Sequence, residues 1–318
     1  MTSPAIRVVA GAIIDTEGRA LIARRPDGVH QGGLWEFPGG KLVVGETAEQ
    51  GLRRELAEEL GIRVLAARPL IRIQHDYGDR CVELDVHRVT RFDGEPVGRE
   101  GQPIAWRHPD AMDPADFPAA DRPVIRALQL PERLLVTGPD PTEPADFLAR
   151  LEQALVAGIR LVQLRAPGLG ADAYARLAER AYRQCAEHGA RLLLNTDPAL
   201  AGTLPCHGLH LNAARLHGLS ARPGPPSVWI GASCHTRAEL AKAERLGLDY
   251  ALLSPVKPTT SHPCAPGLGW SRFAELVAPI NLPVYALGGL TEADLPVAWR
   301  AGAQGIAAIR GLWPSADW

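Results

Sequence analysis

The 318-residue sequence lacks the features of secreted, membrane-spanning and polynucleotide-binding proteins. Its N-terminus shows no charged segment followed by an apolar one, and no stretch approaches the roughly eighteen continuous apolar residues of a membrane span. The formal net charge is -2, so the chain has no overall positive field to hold a nucleic-acid polymer. We therefore expect a cytoplasmic protein that binds neither membranes nor nucleic-acid polymers.

Cysteine is also scarce. The five cysteines are widely spaced and include no C-x-x-C pair, which argues against a disulfide framework and against a zinc site. We expect them to be reduced and mostly buried thiols.

The chain is long enough for two domains. Its 46% hydrophobic and 22% charged residues are ordinary for a soluble protein, and its length exceeds the usual size of one hydrophobic core. After Pro131 the apolar pattern changes to a regular alternation of short apolar runs and helical stretches. This change predicts one domain over residues 1–131 and a second over residues 132–318.

The first domain is predicted to have an α+β fold, a mixed sheet with helices. Apolar, β-branched runs at residues 5–14 and 19–25 flank turn residues 15–18, which predicts an antiparallel hairpin. Leucines recur every fourth residue before Gly61, which predicts an amphipathic helix over residues 47–61. Further strands are expected at residues 68–75, 80–91 and 103–107, with a closing helix at 118–130.

The second domain shows eight short apolar runs separated by helical stretches. This alternation predicts a (β/α)8 TIM barrel, with a doubly wound open sheet as the structural alternative. The predicted strands lie at residues 133–137, 159–165, 191–195, 208–211, 228–232, 249–254, 283–287 and 304–309. Helices are expected at residues 144–157, 171–188, 236–247 and 291–301.

The most informative segment spans residues 40–62, GKLVVGETAEQGLRRELAEELGI. Glu55, Glu58 and Glu59 lie three and four residues apart, which places three carboxylates on one face of the predicted helix. Such a face suits a hard divalent cation, which can bridge phosphate oxygens and activate a water for attack on phosphorus. Arg54 is expected to orient a glutamate by charge-assisted hydrogen bonding.

This segment fits the Nudix signature, G-x5-E-x7-R-E-U-x-E-E-x-G-U with U a bulky apolar residue, at every specified position. Over residues 5–130 the chain resembles the MutT-type Nudix hydrolases, the 8-oxo-dGTP diphosphatase branch. The wider resemblance rests on LIARRPDGVHQGGLWEFPGGK (21–41), GDR (78–80), FDGEPVGREGQP (92–103) and DFPAADRPVI (116–125). It implies hydrolysis of 8-oxo-dGTP to 8-oxo-dGMP and diphosphate, in support of DNA replication and DNA repair.

The resemblance also assigns a metal site. It implies Mg2+ as cofactor, with Mn2+ as an alternative. The implied ligands are Glu55, Glu58, Glu59, Glu100 and the Gly39 carbonyl. Either Glu55 or Glu100 is implied as the general base.

The same resemblance implies that Arg25, Phe37 and Arg80 lie around the nucleotide. Arg25 and Phe37 also fit plain structural roles, as an exposed strand-end cation and a core aromatic. Asp121 stands where the family has a purine-binding asparagine. A carboxylate there can accept hydrogen bonds from the guanine N1–H and N2 amino groups, whereas an amide can both donate and accept.

Residues 132–318 resemble the thiamine phosphate synthase and TenI superfamily of small barrels. The resemblance rests on VQLR (162–165), LLLNT (192–196), GLHL (208–211), GASCH (231–235), LSPVKPTTSH (253–262) and ALGGL (286–290). Most of these segments fall at the carboxyl ends of predicted strands, where barrel active sites are built. The implied ligand contacts are Gln163, Arg165, Asn195, Ser233, Thr259, Ser261 and Gly289.

The chain departs from the synthase pattern at four positions. Thr196 and Arg215 stand where the family has acidic magnesium ligands, and Pro167 and His262 stand where it has lysines. These departures favour a barrel that binds a phosphorylated or thiazole-like ligand without synthase activity, or that only supports the first domain.

Three alternatives stay open at this point. In the first, the chain is a thiamine phosphate synthase that carries a Nudix domain of other specificity. In the second, the barrel senses a ligand and regulates the hydrolase. Within the Nudix family, ADP-ribose or a dinucleotide is the alternative substrate.

Overall fold

The computed structural model describes residues 5–138, 143–259 and 266–314. The chain divides into two compact units, Met1–Gln129 and Leu130–Trp318. The second unit begins two residues before the predicted boundary. The carbonyl oxygens of Leu130 and Pro131 accept hydrogen bonds from Gln304 and Tyr285, which ties this short segment to the second unit.

The described part of the first unit combines seven strands, of which β5 and β6 are the longest, with two α-helices. In chain order these are β1 (Ile6–Ile13), β2 (Ala20–Arg24), β3 (Trp35–Glu36), β4 (Gly39–Lys41), α1 (Ala48–Leu60), β5 (Arg63–Asp76), β6 (Cys81–Asp93), β7 (Ile104–Arg107) and α2 (Arg122–Gln129). One sheet has the order β4-β1-β6-β5, in which β1 is parallel to β6 and the other pairs are antiparallel. A second, antiparallel sheet has the order β3-β2-β7. The mixed sheet confirms the α+β prediction.

The predicted hairpin between the first two strands is wrong beyond its turn. The turn itself forms, since the Asp15 N–H donates to the Arg19 carbonyl at 3.0 Å. Only one bridge follows it, between Ile14 and Ala20, and the two strands then enter different sheets. Both edges of β1 are occupied by β4 and β6, so β2 pairs with β3 and β7 instead.

Helix α1 begins and ends where the local sequence predicts. Thr47 caps its first turn in a reciprocal capping box with Gln50, and Gly61 ends it in the left-handed conformation at φ 71°. Leu52, Leu56 and Leu60 are fully buried, which leaves the glutamate face away from the core. The closing helix α2 is shorter than expected.

The described part of the second unit alternates strands and helices. Its strands are β8 (Arg133–Val136), β9 (Leu161–Leu164), β10 (Arg191–Leu194), β11 (Gly208–Leu211), β12 (Trp229–Cys234), β13 (Tyr250–Leu253), β14 (Val284–Leu287) and β15 (Gly305–Ala308). Its helices are α3 (Pro144–Val156), α4 (Ala171–Glu187), α5 (Pro198–Ala201), α6 (Ala213–Gly218), α7 (Arg237–Arg245), α8 (Gly269–Val277) and α9 (Leu295–Arg300).

These strands close into a parallel barrel in which each strand pairs with its neighbours in sequence and β15 returns to β8. Alternate side chains fill the interior, among them Leu161, Leu193, Tyr250 and Tyr285. Their sequence neighbours, such as Val162, pack outward against the helices. The closed barrel confirms the predicted (β/α)8 architecture and excludes the open doubly wound sheet.

Two smaller findings concern the expectations about membranes and thiols. Within the described ranges, none of the helices has the length and apolar character needed to span a bilayer. The four cysteines that the structure describes are free thiols; Cys185 and Cys234 are buried, and Cys81 and Cys206 are half-buried.

Candidate functional site

The glutamate face of α1 lies against the glycine-rich strand β4. The Gly39 N–H donates to Glu59 Oε2 at 3.0 Å. A Cβ atom on Gly40 would lie 2.4 Å from the Glu55 carboxyl carbon, so only glycine lets the Glu55 carboxylate approach this closely. The two glycines therefore hold two of the three predicted carboxylates against the sheet.

Arg54 forms hydrogen bonds with three glutamates of the motif. Its guanidinium donates to both oxygens of Glu46, at 3.0 and 2.9 Å, and to Glu55 Oε1 at 2.7 Å. A longer bond of 3.2 Å reaches Glu58 Oε2. The hydrogen bonds from Arg54 lower the pKa of Glu46. Arg54 thus fixes the positions of three glutamates at once.

Glu100 is brought to this cluster by the loop before β7. The Glu100 N–H donates to the Gln102 side-chain oxygen at 2.9 Å, and Gln102 Nε2 donates to the Glu59 carbonyl at 3.3 Å. Burial raises the pKa of Glu59 to about 8, the Gly39 N–H opposes this, and the carboxylates of Glu36, Glu100 and Glu55 raise it further. The carboxylates are therefore close enough to repel one another.

A divalent cation fits this donor set. Within the described residues no three acidic, His or Cys side chains already surround a common point, because Glu55 and Glu58 are directed toward Arg54. The donors are carboxylate oxygens, which hard cations prefer. Burial is the main cause of the raised pKa of Glu59, and repulsion from neighbouring carboxylates adds to it; a cation would relieve that repulsion.

A second group of residues surrounds Asp121. Arg25 forms an ion pair with Glu36, and both side chains are roughly a quarter exposed. Asp121 is 8% exposed. Burial raises its pKa to about 7; the Glu36 carboxylate adds to this, while a hydrogen bond from the Phe37 N–H and the charge of Arg25 oppose it.

Phe37 and Arg80 already have partners within the protein. Phe37 is 3% exposed, and its ring stacks on Phe117 with 5.8 Å between centroids. The group of Phe37 that contacts Asp121 is its backbone N–H. Arg80 lies on the exposed turn after β5 and pairs with Asp79 at 2.6 Å. Their roles with a nucleotide stay predictions.

In the second unit, the predicted ligand residues gather at one end of the barrel because parallel strands all end on the same side. Gln163 is 3% exposed, and within the described residues its side-chain oxygen has no hydrogen-bond partner. The Arg165 N–H donates to the Thr137 hydroxyl at 2.9 Å, and the Arg165 side chain is exposed. Arg215 donates to Asn195 Oδ1 at 3.4 Å.

The remaining predicted barrel residues are less informative. Gly289 follows β14 with φ 66°, and a Cβ there would approach Lys257 Cβ at 3.0 Å. Thr259 is half-buried in the loop after β13. Ser261 and His262 lie outside the described residues.

Ser233 belongs to a hydrogen-bonded chain that the sequence did not reveal. His210 bonds to Ser233 Oγ at 2.8 Å and to the Tyr250 hydroxyl at 2.9 Å. Burial lowers the pKa of His210 to about 3, so its ring is neutral and has one donor and one acceptor nitrogen. These two hydrogen bonds of His210 therefore fix the orientation of the Ser233 hydroxyl.

Family comparisons match both units. The family described as NUDIX domain matches residues 9–127, and the family described as Thiamine monophosphate synthase matches residues 134–312, more than half of the chain. The chain belongs to both families. The fold of each unit agrees with this assignment.

Curated relatives agree with these matches. The 8-oxo-dGTP diphosphatase of Escherichia coli (strain K12) is 37% identical over 124 residues, which cover 39% of this chain and 96% of that protein. The putative thiamine-phosphate synthase of Geobacter sulfurreducens is 37% identical over 175 residues, which cover 54% of this chain and 82% of that protein. The thiamine-phosphate synthase of Thioalkalivibrio sulfidiphilus is 32% identical over 185 residues, 57% of this chain and 87% of its own length. The first unit is a Nudix pyrophosphohydrolase.

Two residues of the Nudix unit were missed by sequence reasoning. The charge of Glu36 raises the pKa of both Glu59 and Asp121. Tyr77 belongs to no recognised motif, yet its hydroxyl accepts a hydrogen bond from the Ala120 N–H at 3.4 Å. The sequence offers one clue to Glu36: it lies between the aromatic residues Trp35 and Phe37, and an acidic side chain in apolar surroundings usually has a cationic or hydrogen-bonding partner.

Proposed function

We propose that the Nudix unit hydrolyses 8-oxo-dGTP to 8-oxo-dGMP and diphosphate, with Mg2+ as cofactor and Mn2+ as a substitute. The observation that supports this most is the carboxylate cluster of α1, held between the glycines of β4 and the guanidinium of Arg54. Identities of 37% and 39% to relatives named 8-oxo-dGTP diphosphatase support the choice of substrate. Such an enzyme removes an oxidised precursor before DNA replication and lessens the need for DNA repair.

In this proposal the metal is held by Glu55, Glu58, Glu59, Glu100 and the Gly39 carbonyl. When bound, it neutralises phosphate charge and lowers the pKa of a coordinated water. Glu55 or Glu100 takes the proton of the attacking water as general base. Arg54 keeps Glu55 in place by charge-assisted hydrogen bonding.

The nucleotide is proposed to lie beside Arg25, Phe37, Arg80 and Asp121. Asp121 is the residue suited to bind the purine, because it is nearly buried and its carboxyl group is not engaged by a cation among the described residues. Arg25 is already paired with Glu36, so its proposed role is to hold the Glu36 side chain beside Asp121.

Steady-state hydrolysis by the intact protein tests this substrate. With Mg2+ present, we expect kcat/KM for 8-oxo-dGTP to exceed that for dGTP and for ADP-ribose by about tenfold or more, since a missing hydrogen-bond partner in a binding site is costly. Chelation of the metal by EDTA should abolish turnover. Faster turnover of ADP-ribose, or equal turnover of dGTP, would refute the 8-oxo-dGTP proposal.

For the barrel we propose binding of a phosphorylated or thiazole-like ligand without synthase activity. Arg215 and Thr196 occupy the positions where the family resemblance implies acidic metal ligands, and the guanidinium lies on Asn195. A fixed positive charge disfavours a divalent cation at the same place but attracts a phosphate group. The buried, unpartnered oxygen of Gln163 supplies an acceptor for the ligand.

Binding of a thiazole phosphate to the full chain in EDTA tests this barrel site. Arg215→Gln is expected to weaken binding by about tenfold, because a charge-assisted hydrogen bond is lost. Arg183→Gln is the matched control, an exposed arginine near the C-terminal end of α4 and so near the opposite end of the barrel. Formation of thiamine phosphate, or binding that requires Mg2+, would contradict the proposal.

A further inference from the structure

A cavity in the Nudix unit gathers arginines away from the glutamate cluster. It has a volume of about 510 Å3 and lies between the C-terminal half of α1, the start of β5 and the loop that follows β6. Its charged lining residues are Arg53, Arg63, Arg99 and Asp93. Three positive charges therefore face one negative charge, in a cavity of the size that small-molecule ligands occupy.

Arg99 has the most unused hydrogen-bonding capacity of these arginines. Among the described residues its guanidinium donates one hydrogen bond, to the Ala57 carbonyl at 3.3 Å, and it forms no ion pair. The guanidinium lies over Gly61, where a Cβ atom would approach Arg99 Nε at 2.5 Å. Because a guanidinium carries several N–H donors, most of those of Arg99 are left for a ligand.

The other two arginines have partners, which they hold with different firmness. Arg63 pairs with Asp93 at 2.9 Å, and the two side chains are 73% and 64% exposed. An ion pair this exposed contributes little stability, so Arg63 can turn to a ligand at little cost. Arg53 donates to Glu49 and to the Val64 carbonyl, so it adds positive charge to the cavity while its donors stay with these partners.

The carbonyl groups at the end of α1 already have hydrogen-bond donors. The Ala57 carbonyl accepts from the Gly61 N–H at 3.1 Å, and the Leu60 carbonyl accepts from the Val97 N–H at 3.1 Å. These bonds reduce the partial negative charge of the helix end. The groups of the cavity that still lack a firm partner are therefore guanidinium donors, which suit an anionic ligand and repel a cation.

Arg99 also belongs to the turn that carries Glu100, one of the proposed metal ligands. The Arg99 N–H donates to the Glu59 carbonyl at 2.9 Å, and Gln102 Nε2 donates to the same carbonyl at 3.3 Å. Arg99 thus holds this turn on α1 through its backbone and, by the bond to Ala57, through its side chain. A ligand that engages the guanidinium therefore acts on the turn of Glu100.

We propose that this cavity binds a diphosphate group, free or carried by a nucleoside, through Arg99 and Arg63, and that binding is coupled to the turn of Glu100. Phosphate oxygens accept charge-assisted and often bidentate hydrogen bonds from guanidinium groups. The two arginines lie on separate elements, which suits a ligand with more than one phosphate. The site is independent of the proposed hydrolysis, since neither guanidinium bonds to a carboxylate of the metal site.

The test is an NMR titration of the full chain, carrying isotope-labelled glycine, with inorganic diphosphate in EDTA. EDTA removes the metal on which the proposed catalytic site depends. Gly61 and Gly94 line the cavity, and Gly101 ends the turn of Glu100 with its N–H on the Gly98 carbonyl. We expect the amide resonances of Gly61, Gly94 and Gly101 to shift, and that of Gly40, beside Glu55, to stay in place.

Two variants and a control make the test specific. Arg99→Gln and Arg63→Gln are each expected to weaken diphosphate binding, followed at Gly94, by about tenfold, because each removes a charge-assisted hydrogen bond. Arg7→Gln makes the same change of charge at an exposed position of β1 and should bind diphosphate like the natural protein. The Tm of each variant verifies that it is folded.

A second titration, with dGDP in EDTA, identifies the form of the ligand. The cavity also has apolar lining residues, among them Ala57 and Val64, on which a nucleoside can pack. Tighter binding of dGDP than of inorganic diphosphate, again followed at Gly94, assigns a nucleotide to the site. Equal or weaker binding of dGDP assigns the free diphosphate.

Three outcomes overturn the inference. Unchanged resonances of Gly61 and Gly94, including the case in which only barrel residues such as Gly289 respond, mean that the cavity binds no diphosphate. Equal weakening by Arg7→Gln and Arg99→Gln means that only the overall charge of the unit matters. Shifts at Gly61 and Gly94 without a shift at Gly101 overturn the coupling to the turn of Glu100. None of these results requires turnover of 8-oxo-dGTP, so this inference and the proposed hydrolysis fail separately.

Discussion

Replacement of Glu55 by glutamine is expected to lower kcat for nucleotide hydrolysis by about 10²- to 10⁴-fold, the range for loss of a general base. Glutamine keeps the size of the side chain, so the close packing on Gly40 is retained. It removes the negative charge that either accepts a proton or binds the metal. The measurement is single-turnover hydrolysis of 8-oxo-dGTP with saturating Mg2+.

Glu49→Gln provides the matched control for this variant. Glu49 lies in the first turn of the same helix, is exposed and pairs only with Arg53 at 2.9 Å among the described residues. It should retain full activity. Similar losses for Glu49→Gln and Glu55→Gln would refute a specific role for Glu55. A larger loss for Glu100→Gln than for Glu55→Gln would assign the base to Glu100.

Sequence alone predicted α1 and its glutamate face because every determinant is local. Thr47, Gly61 and the leucines between them specify the start, the end and the buried side of the helix without reference to any other segment. The barrel was predictable for a similar reason, since the alternation of apolar runs and helical stretches is a local pattern repeated eight times.

Features that depend on pairing between distant segments were not predictable. The predicted hairpin was wrong because the local sequence, two apolar runs joined by turn residues, shows only that β1 and β2 can form strands. It does not show that β1 pairs with β6 and β2 with β7, which lie far along the chain. The same applies to the Arg25–Glu36 pair and its influence on Asp121. In the barrel, His210 and Tyr250 are 40 residues apart, and no motif records their hydrogen bond.

Arg54→Gln is expected to lower kcat/KM by about 10- to 100-fold, the usual effect of removing a residue that orients metal ligands. Arg54 holds Glu46, Glu55 and Glu58 together, so its loss leaves the carboxylates to repel one another. We therefore also expect a higher Mg2+ concentration for half-maximal activity. Arg54→Lys keeps the charge but not the bidentate hydrogen bonding to Glu46. Its kcat/KM should therefore lie between the values for the natural protein and for Arg54→Gln.

Arg53→Gln separates this positioning role from a general effect on helix stability. Arg53 is the preceding residue of the same helix, and its guanidinium bonds to Glu49 and to the Val64 carbonyl, away from the glutamate cluster. Its loss should lower Tm slightly and leave the Mg2+ dependence unchanged. If Arg54→Gln also lowers Tm without shifting the Mg2+ dependence, Arg54 only stabilises the fold. A shift confined to Arg54 variants means that the guanidinium sets the geometry in which the carboxylates bind the cation.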